Sequence, residues 1–144
     1  MTTPETSTIE LLDRFYGAEA AYVEAGGPGR AGFDDIAACL HPEVTLHQAP
    51  GLPYSGTWQG PAGIERFLAV MGDAWQSMEF LEQHRFVEGE NVVITNRVRF
   101  VARATGHELD TRIVQEMTVR DGRIREIRPY YWDPAAVSAA LKAV

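Results

Sequence analysis

Between Met78 and Trp132 the chain passes through four long stretches of alternating apolar and polar residues, Met78–Val87, Val92–Ala104, Glu108–Val119 and Arg123–Trp132. Glu88-Gly89 and Thr105-Gly106 mark two reversals, and Asp121-Gly122 is the strong two-residue hairpin signal. Connections this short can only join antiparallel strands. The second half of the chain is thereby committed to one antiparallel sheet, and the first half must supply its cover.

That first half reads as helices. Residues 1–7 are expected to form a short mobile tail ahead of a single domain spanning 8–144. Ser7 or Thr8 can cap a helix in which Ile9, Leu12, Phe15 or Tyr16, and Val23 recur at helical spacing, ended by Gly26-Gly27-Pro28-Gly29. Phe33, Ile36, Ala37 and Leu40 suggest a second, short helix stopped by His41-Pro42. Val44–Gln48 alternates as a strand does. The segment from Ala49 to Gly63, with three Pro and four Gly, reads as a long loop. Pro61 suits the first turn of a third helix with an apolar stripe of Ile64, Phe67, Leu68, Met71 and Trp75. Asp133-Pro134 opens a closing helix with Val137, Leu141 and Val144 inward, and Asp133 reads as its N-cap. Helices first and strands afterwards give an α+β arrangement, with helices on one face of a curved sheet.

Composition excludes some functions. A formal charge of -7 and a pI near 5.0 argue against nucleic-acid binding, which needs a basic face. Cys39 is the only cysteine, so there is no internal disulfide and no thiolate cage, and a cytoplasmic setting is expected. The N-terminus lacks a secretory pattern, and no apolar run approaches ~18 residues, so no membrane association is expected. His41, His47, His84 and His107 show no ligand spacing, and no phosphate-loop motif occurs. Neither metal nor cofactor is expected.

Period-two reading assigns strand faces. Met78, Phe80, Glu82, His84 and Phe86 share one side, as do Val92, Ile94, Asn96, Val98 and Phe100, and Leu109, Thr111, Ile113, Gln115, Met117 and Val119. The opposite side collects Arg85, Arg97, Arg99, Arg103, Arg112 and Arg120 with Asp110 and Glu116, suited to ion pairing on a solvated or dimer-forming face. On the inner face Glu82, His84, Asn96 and Gln115 are the polar exceptions. Unpartnered buried polar groups are costly, so such residues bond to one another, face a wet cavity, or lie at exposed sheet ends.

The chain from about Ile9 to Leu141 resembles the nuclear transport factor 2-like superfamily, in particular its SnoaL-like, polyketide cyclase-like branch. The residues carrying the resemblance are His41-Pro42-Glu43 before a strand, Gly56-Thr-Trp-Gln-Gly60-Pro61 at a helix entry, Val119-Arg-Asp-Gly-Arg-Ile124 at the last hairpin, and Tyr131-Trp-Asp133 at the close. The resemblance implies a cone-shaped α+β barrel, a strongly curved antiparallel sheet wrapped around the N-terminal helices, with an apolar small-molecule pocket. It also implies a homodimer joined through the outer sheet face. The acid–base pair of aldol cyclases falls on Gln115 and Pro129, and the steroid isomerase base falls on Gln48, beside His47. None of Gln115, Pro129 and Gln48 can exchange a proton in those roles. An epoxide hydrolase would need Asp110 and Arg112 in the pocket, whereas they alternate outward.

Glu82 and His84 are therefore the expected catalytic residues, Glu82 with a carboxyl raised by apolar neighbours and His84 as its partner. The plainer alternative is a self-satisfied Glu82–His84 or Glu82–Asn96 pair. Tyr16, Asn96, Gln115 and Tyr131 can supply neutral hydrogen bonds, and Trp58, Phe67, Met71 and Trp75 an apolar wall or simply core. Gln48 and Met117 complete the substrate-contacting set. The expected function is a cyclase or isomerase of an apolar, polyketide-like natural-product intermediate, closing rings by pericyclic or Michael-type chemistry under shape control. The alternatives are a non-catalytic binding or carrier protein, and third an epoxide hydrolase.

Overall fold

The computed structural model describes residues 4–142. Its elements are α1 (Pro4–Ala25), α2 (Asp34–Ala37), β1 (Leu40–Gln48), β2 (Gly56–Gln59), α3 (Gly60–Ala74), β3 (Trp75–Glu88), β4 (Asn91–Ala102), β5 (Glu108–Arg120), β6 (Arg123–Tyr131) and α4 (Pro134–Leu141). The six strands form one curved, unclosed sheet in the order β2-β1-β6-β5-β4-β3. Neighbours are antiparallel except β1 and β6, which run parallel. The expected α+β cone is thus the fold, with one parallel junction where the chain returns to β1.

Curvature comes from bulges. Gln76 and Leu81 on β3 and Arg125 on β6 are extra residues facing an unbroken partner strand, and each such insertion bends its strand. The last hairpin turns at Asp121 and Gly122 with φ of 54° and 72°, the left-handed pair that a two-residue turn requires.

Helices α1 and α3 lie in the concavity. From α1, Leu12, Phe15, Tyr16 and Val23 are buried; from α3, Ile64, Phe67, Leu68 and Met71. Trp75 is wholly buried, its ring 4.6 Å from that of Phe100. Fully burying side chains of this size contributes about 1.5–3 kcal/mol each. The two helices meet where Gly72 of α3 approaches the backbone of Gly26 and Gly27, and a Cβ there would stand 3.0 Å from both.

Several sequence expectations are corrected. Helix α1 begins at Pro4, so residues 4–7 of the expected tail are helical, and residues 1–3 lie outside the described residues. Helix α2 is one turn, and Leu40 belongs to β1, which continues through Pro42. The loop after β1 contains the short edge strand β2. Asp133 does cap α4, accepting from the Ala136 N–H at 3.0 Å; Val137 is buried, and Val144 is outside the described residues. Arg103 leaves the outer face and donates to the carbonyls of Gly72, Val23 and Trp75 at 2.9, 3.3 and 3.0 Å. A cation there satisfies the last carbonyls of both α1 and α3. Among the described residues no helix is long and apolar enough to cross a membrane.

Candidate functional site

The concave face of β1 and β3–β6, closed over by α1 and α3, encloses an apolar cavity. Its walls include Ile64, Phe67 and Met71 from α3, Phe15 from α1, and Val98, Phe100 and Ile113 from the sheet. The cavity has a volume of about 40 Å³, and about 550 Å³ of atom-free space when its mouth and the adjoining solvent are counted. The first figure is room for a few waters. A natural-product ligand requires the walls to move apart.

Five lining residues are polar: Glu19, Gln48, Asn96, Gln115 and Tyr131. Gln115, Asn96 and Tyr131 are each held by a neighbour in a different way. The Tyr16 hydroxyl donates to Gln115 Oε1. Gln83 Nε2 donates to Asn96 Oδ1 at 2.8 Å, and Asn96 Nδ2 to the Ile113 carbonyl at 3.2 Å, so this buried amide is satisfied on both sides. The hydroxyls of Tyr131 and Tyr54 are 3.1 Å apart. Gln48 Oε1 is buried and has no hydrogen-bond partner among the described residues.

Glu19 stands out electrostatically. It extends from α1 one turn after Phe15 and Tyr16, is closely surrounded by protein atoms, and lines the cavity. Burial alone pushes its carboxyl from the ordinary 4.5 to about 8, because no cation offsets the loss of water around the charged form. Burial also raises the surrounding phenols. Tyr54 moves to about 12, with its hydrogen bond to Tyr131 opposing the rise. Tyr16 and Tyr131 are driven well above their ordinary value by burial, and the Glu19 charge adds to this. Near neutral pH the cavity holds one titrating carboxyl and neutral hydroxyls and amides.

The expected catalytic pair is not in the cavity. Leu81 is a bulge, and beyond it the sides of β3 exchange: Phe80 pairs with Val98, then Glu82 with Arg97. Gln83 and Arg85 consequently turn inward, whereas Glu82, His84 and Phe86 are exposed on the outer face. Glu82 lies 3.8 Å from both Arg97 and Arg112 there. Arg85, expected outside, pairs with Asp13 of α1.

Of the substrate-contacting set, Gln48, Phe67, Met71, Asn96, Gln115 and Tyr131 line the cavity. Tyr16 reaches it through Gln115. Trp58, Trp75 and Met117 do not line it. Trp58 packs edge-on against Phe67 at 5.5 Å, Trp75 stacks on Phe100, and Met117 is buried beside Ile127 of β6. Gln115 and Pro129 sit opposite each other across β5 and β6, and both line the cavity. Asp110 is outside, clamped by Arg97 at 3.0 and 2.6 Å, and Arg112 is exposed beside it, so an epoxide hydrolase set is not assembled.

Sequence reasoning missed Glu19 and Tyr54. The signal for Glu19 was present, since it occupies the slot between Phe15 and Tyr22 that a continuous apolar stripe would fill. Tyr54 sits in a loop without periodicity and gave none. Among the described residues no three His, Cys, Asp or Glu side chains gather as a metal would require.

A SnoaL-like domain model matches residues 9–127. The chain belongs to the SnoaL-like family. Solved structures share the fold of this SnoaL-like domain at low identity. A nuclear transport factor 2-like protein from Burkholderia pseudomallei superposes with a TM-score of 0.80 at 18% identity, covering 95% of this chain and 98% of its own. TerC, co-crystallised with polyporic acid, gives 0.79 at 21% identity, with 95% and 99% covered. A Jannaschia protein provisionally assigned as a SnoaL-like polyketide cyclase gives 0.77 at 21%, with 100% and 98% covered. A search of curated proteins returns no match.

Proposed function

We propose that this SnoaL-like domain is a cyclase or isomerase of an apolar, polyketide-like intermediate, working in the enclosed cavity. The observation carrying this reading is the cavity's make-up: an apolar wall with a few neutral hydrogen-bonding groups and a single carboxyl, Glu19. Such a wall holds a flexible substrate in a reactive shape, and orientation alone removes a large part of a ring-closure barrier. A neutral donor such as the Tyr131 hydroxyl, paired with that of Tyr54, can stabilise a developing oxyanion without an added cation. Pericyclic or Michael-type closure fits better than aldol chemistry, because Gln115 and Pro129 face each other with no proton to exchange.

The test is turnover of a panel of linear apolar polyketones by wild type, Glu19→Gln and Asn96→Ala. Conversion by wild type that drops in both variants supports the enzyme. The same Gln115–Pro129 pairing favours, as a second reading, a non-catalytic carrier; tight binding with no conversion by wild type would establish it in place of the enzyme.

The working unit is proposed to be a homodimer joined through the outer sheet face. Phe86, Val93, Val114, Tyr130 and Trp132 are exposed there, Trp132 to 83%, among the Arg97–Asp110 and Arg128–Glu116 pairs. Exposed apolar side chains set among charged pairs suit an association surface. Sedimentation of wild type as a dimer, and of Val114→Arg as a monomer, is the expected result.

A further inference from the structure

The charge inventory of the cavity is one-sided. Among the described residues no Lys, Arg or His lines it, and Glu19 is the one carboxyl that does. Glu19 makes no hydrogen bond or ion pair with any described residue. The groups that feel its charge are the phenols Tyr16, Tyr54 and Tyr131, from α1, the loop after β1, and β6, and all of them are neutral across the physiological range. Arg85, a cation whose charge acts on Tyr16, is engaged by Asp13 and Gln83. The second unanswered group is Gln48 Oε1, buried and without a partner.

Of the buried side-chain atoms without a partner, Trp75 Nε1 and Arg85 Nε belong to residues that do not line the cavity, so the unanswered groups of its lining are the Gln48 oxygen and, in its ionised form, Glu19, both acceptors. Three donors of the site are engaged within the protein, since Tyr16 donates to Gln115, Gln83 to Asn96 and Asn96 to Ile113, and the paired Tyr54 and Tyr131 hydroxyls keep one hydrogen between them. A buried acceptor left unmatched is destabilising, and a second negative charge beside an unscreened carboxylate is worse. A ligand that brings a donor relieves the first condition, and an anionic ligand creates the second.

We propose that the cavity selects uncharged ligands that present a hydroxyl, as a phenol, enol or alcohol, to Glu19 and Gln48, and that it rejects carboxylates and phosphates. This rests on the reading of the cavity as the substrate site. The free acceptors then serve as a filter on the ligand's protonation and functional groups, while the apolar wall is indifferent to both. Glu19 accepts the ligand's hydrogen bond when ionised. A ligand with no donor dries the carboxylate further, so it binds only the protonated form.

Three probes of similar size separate these effects: 2-naphthylmethanol, 2-methylnaphthalene and 2-naphthoate, each titrated calorimetrically into the full chain. Near pH 9, where Glu19 is ionised, wild type is expected to bind the alcohol at least about tenfold more tightly than the carboxylate, with the gap narrowing several-fold in Glu19→Gln. Affinity of wild type for methylnaphthalene is expected to fall about tenfold from pH 7 to pH 9 and to stay level in Glu19→Gln. The wild-type pH series decides the matter even if the variant fails to fold. Equal affinities for alcohol and carboxylate, or a flat wild-type series, overturn the inference and leave the cavity standing as a site. Absence of binding by all three probes overturns the cavity reading itself. Turnover does not enter, so a carrier passes or fails this test on the same terms as an enzyme.

Discussion

The hydroxyls of Tyr54 and Tyr131 lie 3.1 Å apart, joining the loop after β1 to the last strand beside the cavity. The same loop is held at Gly51, whose carbonyl accepts from Ser138 of α4 at 3.3 Å, while Leu52 and Tyr54 are buried beneath. With so little free space inside, ligand entry needs a segment around the cavity that can lift, and between Gln48 and Gly56 this loop belongs to no helix or strand. Tyr54→Phe and Tyr131→Phe each strand one buried hydroxyl, a cost of about 1–3 kcal/mol, whereas the double variant removes both. Denaturant unfolding of the four proteins should therefore show a coupling of about 1 kcal/mol between the sites. Strict additivity would mean that the pair does not hold the loop.

Substitutions on either side of the Leu81 bulge should behave oppositely. Glu82 is exposed and half-solvated between Arg97 and Arg112, and exposed ion pairs are worth about 0–1 kcal/mol. Glu82→Gln and His84→Ala are expected to change stability by less than ~0.5 kcal/mol and to leave ligand affinity unchanged. Asn96→Ala strips partners from Gln83 and from the Ile113 carbonyl inside the core, at a cost of roughly 1–3 kcal/mol. Urea midpoints check both. Comparable losses at Glu82 and Asn96 would contradict the outward placement of Glu82.

That bulge also shows where the sequence stops being readable. Alternation places β4 and β5 correctly along their whole length, because an unbroken ladder preserves the period of two. It places Met78 and Phe80 correctly and then fails at Glu82, since one extra residue moves every later side chain to the other face. A bulge depends on what the partner strand does, and Leu81 differs in no local way from its neighbours. The parallel pairing of β1 with β6 and the edge strand β2 were hidden for the same reason, being properties of distant contacts. Much of the site was legible, through Gln48, Phe67, Met71, Asn96, Gln115 and Tyr131. The titrating group was within reach of the sequence too, because Glu19 follows Phe15 by four residues and so falls on the same side of α1.

Gly72 tests the packing that fixes α1 against α3. A Cβ at this position would meet Gly26 C and Gly27 N at 3.0 Å, both backbone atoms that cannot rotate away. Alanine would ordinarily favour the helix by about 1 kcal/mol. Here the overpacking should outweigh that gain, leaving Gly72→Ala destabilised by about 1–3 kcal/mol and α1 displaced from the cavity. Thermal unfolding measures the first effect, and weaker ligand binding the second. An alanine variant as stable as wild type would show that the helices are free to separate.

Glu19 makes stability depend on pH in an unusual direction. Its carboxyl is raised from 4.5 to about 8 on folding, by burial. Between those values the folded chain holds a proton that the unfolded chain has released, so stability falls as pH rises. The contribution is full below about pH 4.5, declines by about 1.4 kcal/mol per pH unit through the window, and levels off above about pH 8. Most buried carboxylates act oppositely, because a cation or hydrogen bond depresses them; Glu19 has neither. Glu19→Gln keeps the size and removes the charge. The variant should lack this slope and exceed wild type by a few kcal/mol near pH 9, whereas near pH 4.5 the two should be similar. Unfolding free energies of both proteins across pH 5 to 9 isolate the effect, since all other titrating groups are common to the pair and cancel in the difference. A difference that stays constant with pH would place the Glu19 carboxyl in water, outside the cavity.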